Sequence, residues 1–141
     1  SGNYVEGVRL RFVKGTAVGI EAETGSAFVA KQLRMDRGAA RIGEFSLTDR
    51  RFSRIDRFMA DTLFDENFGG RHGNCHIAVG ASYTDTYAGD PAEMNRTLKR
   101  RLGFNDSALH WDLVNTEDKR VTAHLATGDR VTIYENGRFC W

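Results

Sequence analysis

The sequence predicts an α+β fold, with a mixed, mainly antiparallel β-sheet and about three helices. Three observations predict it. Apolar residues alternate in several short runs bounded by turn residues, and three other stretches space their apolar residues at helical intervals between cap residues. The last third of the chain is a succession of strand-like runs separated by little more than the turn signals "TGD" and "ENG", which calls for antiparallel neighbours.

"VEGVRLRFVKGTAVGIEAETG" holds two alternating runs around Lys14-Gly15 and reads as a hairpin. "SAFVAKQLRMD" spaces Phe28, Val29, Gln32 and Leu33 as a short helix does, with Ser26 as its N-cap and Gly38 as its break. "ARIGEFSL" follows as a strand. "SRIDRFMADTLFDE" places Ile55, Phe58, Met59 and Leu63 on one helical face, capped by Ser53. The glycine-rich "NFGGRHGN" then leads into the compact apolar strand "HIAVGAS". In "DPAEMNRTLKRRLG", Asp90 at the N-cap, Pro91 at the first helical position and Gly103 after a basic last turn mark both ends of a helix. "ALHWDLV", "RVTAHLA", "RVTIYEN" and "RFCW" complete a terminal antiparallel meander.

The 141 residues suit one domain, 1–141, large enough to bury a core without disulfides. Twenty basic against 19 acidic side chains, for a formal charge of +1, create no global field for nucleic acid or an anionic membrane. Arginines cluster only locally, in "DRRFSRIDR", which Asp49 and Asp56 interrupt, and in "NRTLKRR", which suits a solvated helix face. Nucleic acid and membrane are therefore not expected partners. No apolar run approaches the roughly 20 residues of a membrane helix. Cys75 and Cys140 are isolated thiols, which with no signal-peptide pattern gives cytoplasmic residence as the expectation. The opening Ser1-Gly2, running at once into strand-like sequence, suggests a piece of a longer protein.

Chemistry-bearing side chains recur in apolar settings. In "LHWDLV", His110 and Asp112 are alternate residues of a strand and so share a face, as an imidazole and a carboxylate beside one another. Alone, such a pair is also an ordinary polar strand face. Glu44 lies on the face of "ARIGEFSL" that carries Ile42 and Ser46, where an ionised carboxylate requires a cationic partner or a metal. Asp65-Glu66-Asn67 ends a predicted helix, at the pole of the macrodipole that disfavours acids. His76 opens its apolar strand either as a satisfied core residue or as a ligand, and position alone favours the core. His72 and His124 read as surface residues, and Tyr83, Tyr87 and Tyr134 as structural aromatics unless one serves a metal site. Two glutamates, one aspartate and two histidines match an oxygen-rich site for two divalent ions better than a closed, cysteine-rich structural zinc site.

"RMDRGAARIGEFSL", "TLFDENFGGRHGNCHIAVGASY", "LHWDLV" and the ending "IYENGRF", in that order and across most of the chain, resemble the thermophilic aminopeptidase family, the aminopeptidase T-like metallopeptidases. The resemblance implies a cocatalytic pair of divalent ions, zinc, cobalt or manganese, removing N-terminal amino acids from peptide substrates. It implies metal ligation by Glu44, Glu66, His76, His110 and Asp112, with Glu66 also a candidate general base and Tyr83 the active-site tyrosine. It further implies a homodimer for the full-length protein. Family members carry an upstream glutamate ligand in a "PTEE"-like motif behind an N-terminal domain, so the chain is expected to be a C-terminal portion of a larger enzyme and to be weakly active or inactive by itself. The "NFGGRHGN" loop makes the interval from Glu66 to His76 longer than in members with a "DENASCH"-like sequence. Two other functions share these residues. His76, His110 and Asp112 also satisfy the two-histidine, one-carboxylate facial triad of an Fe(II)-dependent ring-cleaving dioxygenase. The third reading is a non-catalytic interaction domain.

Overall fold

A computed structural model describes residues 2–140. Its three α-helices and mainly antiparallel strands make the predicted α+β mixture. The elements in chain order are β1 (Arg9–Val13), β2 (Thr16–Glu21), α1 (Ser26–Gln32), β3 (Ile42–Thr48), α2 (Thr62–Asp65), β4 (Asn74–Gly80), α3 (Arg96–Leu102), β5 (His110–Asn115), β6 (Val121–His124), β7 (Arg130–Glu135) and β8 (Arg138–Phe139). Short 3₁₀ turns occupy Thr84–Thr86 and Pro91–Glu93. The strands form three sheets, of order β1-β2, β3-β4-β5 and β6-β7-β8. The chain divides into two compact units, one containing the residues up to Glu44 with Ala78–Trp111, the other Phe45–Ile77 with the residues from Asp112 onward.

In the first unit the β1-β2 hairpin turns at Lys14-Gly15, both with positive φ (48° and 75°), the backbone of a tight hairpin turn matched to strand twist. Helix α1 buries Val29 completely, and with Leu33, Ala39, Ala78 and Val79 this residue forms the unit's apolar core. Ser26 is the first helical residue rather than its cap; Gly25, in the left-handed region at φ 79°, occupies the cap position without a side-chain bond. Helix α3 ends at Gly103 as the pattern predicts, but it starts later. Asp90 caps only the 3₁₀ turn, the backbone breaks at Met94, and Asn95 caps α3 by accepting from the Thr97 and Leu98 amides.

In the second unit the helix predicted from Ser53 shrinks to the single turn α2. The reason is local competition for backbone groups. The Ser53 hydroxyl donates to the Asn67 carbonyl (2.5 Å) and accepts from the Ile55 amide, while the Asp65 carboxylate accepts from the Met59 and Asp61 amides. Ala60 adopts φ 56°, which no α-helix accommodates, and Asp61 becomes the true cap. Phe58 instead stacks on Phe68, with ring centroids 4.9 Å apart. The terminal meander is β6-β7-β8 only, since β5 belongs to the β3-β4-β5 sheet. Tyr134 is its fully buried anchor, its hydroxyl donating to the Thr48 carbonyl (2.8 Å) and its ring edge-on to Phe139.

Candidate metal centre

Within the second unit, Glu66 at the C-terminal end of α2, His76 in β4 and Asp112 in β5 offer ligand atoms that all lie within 4.8 Å of one another. His76 is 3 % exposed. Its Nδ1 lies 3.1 Å from the Glu66 carbonyl oxygen. A carbonyl accepts only, so Nδ1 carries a proton, and in the neutral ring that a metal binds Nε2 is the ligating nitrogen. The same carbonyl accepts from the Nδ2 amide of Asn74 at 2.6 Å. Asn74 is fully buried and is the residue two before His76 on the same strand, so β4 sends two donors to one acceptor. The Glu66 carboxylate accepts from the Asn67 side-chain amide at 3.3 Å. Cys75, on the alternate face, has its thiol pushed up by burial, which keeps it a neutral thiol rather than a thiolate ligand.

The first unit carries a second group. His110, at the start of β5, places Nδ1 2.9 Å from the Ala81 carbonyl, which fixes a proton on Nδ1 and makes Nε2 the nitrogen that can face a metal. Nε2 lies 3.7 Å from Oε2 of Glu44 in β3. The Tyr83 ring lies beside this imidazole, centroids 4.4 Å apart and tilted by 43°, with the tyrosine itself half exposed. Gly43, next to Glu44, sits so close to the chain that a Cβ there would come within 2.3 Å of the Gly80 carbonyl oxygen and 2.5 Å of that of Ala81. Only glycine permits this approach.

The structure thus gathers Glu66, His76 and Asp112 in one group and Glu44, His110 and Tyr83 in another. His110 and Asp112, alternate residues of β5, contribute one residue to each. His124 is exposed, and His72, predicted to be exposed, is half buried with Nδ1 3.7 Å from Asp118 Oδ1. Asn74 and the carbonyl of Ala81 were not singled out by sequence reasoning. The signal for Asn74 was its alternation with His76; a carbonyl carries no signal in sequence.

Residues 1–139 match the family model described as thermophilic metalloprotease (M29). Over 142 residues the chain is 37 % identical to aminopeptidase T of Thermus aquaticus, covering 99 % of this chain and 33 % of that protein. It is 29 % identical over 140 residues to aminopeptidase PepS of Streptococcus thermophilus, covering 97 % and 32 %. The solved structure of wild-type AmpT from Thermus thermophilus superposes with a TM-score of 0.76 at 33 % identity, over 98 % of this chain and 33 % of that one. The chain therefore spans about a third of the length of the curated relatives it matches.

Proposed function

We propose that this chain, which belongs to the thermophilic metalloprotease family M29, supplies metal-ligating residues to a larger metal-dependent aminopeptidase that removes N-terminal residues from peptides. The observation that carries this reading is the approach of Glu66, His76 and Asp112 ligand atoms to within 4.8 Å. The donors fit the group. Two carboxylates and one imidazole suit zinc, cobalt or manganese, and with Nδ1 engaged by a carbonyl the imidazole offers Nε2. We assign Glu44 and His110 to a second ion, with β5 serving both through His110 and Asp112. The gathered triplet of one imidazole and two carboxylates differs from the two-imidazole facial triad of ring-cleaving iron enzymes.

Bound divalent ions would supply Lewis acidity toward the scissile carbonyl and a water of lowered pKa. The chain's own residues supply orientation and proton handling. His76 and His110 are each locked by a main-chain carbonyl, so neither ring is free to present the wrong nitrogen. Glu66, with one carboxylate oxygen held by Asn67, is the carboxylate we assign as proton acceptor from the attacking water. Tyr83, packed against His110, is the phenol we assign to the developing oxyanion.

The test uses the full-length protein. Hydrolysis of leucine p-nitroanilide should require added divalent metal, stop with a chelator, and fall steeply in His110→Ala. Equal activity with and without chelator would show that the protein is no metallopeptidase. Iron-dependent oxygen uptake with a hydroxylated pyridine, without peptidase activity, would select the dioxygenase chemistry instead.

A further inference from the structure

The basic run "NRTLKRR" becomes helix α3 in the first unit, and α3 sets Arg96 and Arg100 one turn apart on one face. Both line a cavity of about 360 Å³ together with Arg37 and Arg41 from the segment that joins α1 to β3. The one acidic residue in the lining, Asp106, is engaged by Lys99 at 2.7 Å. Among the described residues none of the four guanidinium groups forms a salt bridge. Arg96 is moreover the first residue of its helix, where the macrodipole disfavours a cation. Arg96 and Arg100 are a like-charged pair of the kind that weakens a helix unless an anion lies between them.

The cavity wall is built rather than loose. The Asp36 carboxylate accepts from the amides of Gly38, Ala39 and Ala108 and from the Ser107 hydroxyl, which pins the segment bearing Arg37. The Asn105 side-chain amide donates to the carbonyls of Gly38 (2.9 Å) and Gly80 (2.5 Å). Four exposed, permanently charged guanidinium groups on a hydrogen-bonded backbone frame suit a phosphate group, whose oxygens a guanidinium binds two at a time. The volume suits a small molecule. We propose that this cavity binds a small phosphate-bearing anion, as free phosphate or as a phosphate ester, held by Arg37, Arg41, Arg96 and Arg100. It contains none of the residues assigned above to metal or catalysis.

The experiment takes the full-length protein, stripped of metal and dialysed free of chelator so that no metal-bound phosphate contributes. Thermal melts are recorded against inorganic phosphate, pyrophosphate and a nucleoside monophosphate, with ionic strength held constant by sodium chloride. A saturable rise in Tm is expected, with direct titration calorimetry on the same samples. Arg96→Gln/Arg100→Gln should weaken the apparent affinity by about tenfold or more, since two charge-assisted contacts are lost. Arg54→Gln/Arg57→Gln, outside the cavity, should leave it unchanged. Tighter binding of the monophosphate than of inorganic phosphate identifies an ester as the ligand, and the reverse order identifies the free anion. Should the double variant fold poorly by circular dichroism, Arg41→Gln alone carries the same comparison. A shift no larger than chloride produces, or one that the cavity variants retain in full, overturns the proposal.

Discussion

Replacing Asn74 with leucine should loosen the Glu66, His76 and Asp112 group from behind. Leucine is close to asparagine in size and shape but has no donor. Asn74 is fully buried, and its amide gives the shorter of the two hydrogen bonds to the Glu66 carbonyl, 2.6 Å against 3.1 Å from His76. Its Oδ1 has no hydrogen-bond partner among the described residues, so nothing is lost on that side. The substitution leaves the half-buried Glu66 carbonyl with His76 as its donor and removes the longer contact to the Asp65 carbonyl (3.4 Å), a cost of about 0.5–1.5 kcal/mol to stability. The same carbonyl orients His76. Loss of such an outer partner lowers metal affinity by roughly 10–100-fold, or about 1.4–2.7 kcal/mol. Competition with a chromophoric chelator for cobalt or zinc on the full-length protein measures the second quantity, and a metal-free melt measures the first. If stability falls by the stated amount while metal affinity stays at the wild-type value, Asn74 supports the fold only and His76 owes its orientation to something else.

Three further outcomes are expected. The Asp49 carboxylate, 3 % exposed, accepts from the Arg51 guanidinium and from the Arg51 and Phe139 amides, so Asp49→Ala should cost about 3 kcal/mol in chemical denaturation. Arg51 above all holds this carboxyl below the usual range; the unfolded chain therefore takes up the proton first, at about pH 4, and the stabilisation is present above that pH and lost as pH falls toward the folded value. An acid titration flatter in Asp49→Asn than in the wild type checks this, and identical titrations would refute it. Gly43→Ala should destabilise by about 1–3 kcal/mol, because its Cβ would press on the Gly80 and Ala81 carbonyl oxygens, and should weaken metal binding too, since the Ala81 carbonyl holds His110. Manganese, cobalt or zinc at a hundredfold excess over its dissociation constant should add about 2.7 kcal/mol to an already folded protein. No shift at millimolar metal would count against the ligand assignment, and unfolding in chelator would show that the metal is needed for folding.

Much of the fold could be read because its signals are local. The Lys14-Gly15 turn, the alternation in β3, β4 and β5, and the Gly103 stop each need only a few neighbouring residues. The segment from Ser53 to Ala60 misled because its apolar spacing suits a helix, while the decisive bonds, Ser53 to Asn67 and Asp65 to Met59, join residues that no periodicity links. Likewise, alternation shows that His110 and Asp112 share a strand face but says nothing of which neighbours each meets. β5 was assigned to the wrong sheet for the same reason: strand character is local, strand partnership is not.

The two histidines show what kind of information a sequence of ligands leaves out. Each must present a bare nitrogen in a fixed direction, and each is held through Nδ1 by a main-chain carbonyl, that of Glu66 for His76 and that of Ala81 for His110. A carboxylate in that position would also fix the ring, but it would add negative charge to groups already carrying Glu66 and Asp112, or Glu44. A carbonyl orients without that charge. The consequence is that ring direction depends on backbone position, and backbone position depends on residues outside the proposed ligand set: Gly43, which lets β3 approach the Ala81 carbonyl, and Asn74, whose amide holds the Glu66 carbonyl. Changes at these two positions should therefore alter metal binding while every ligand remains in place, and conservative changes of similar burial elsewhere, such as Val29→Ile, should alter stability alone.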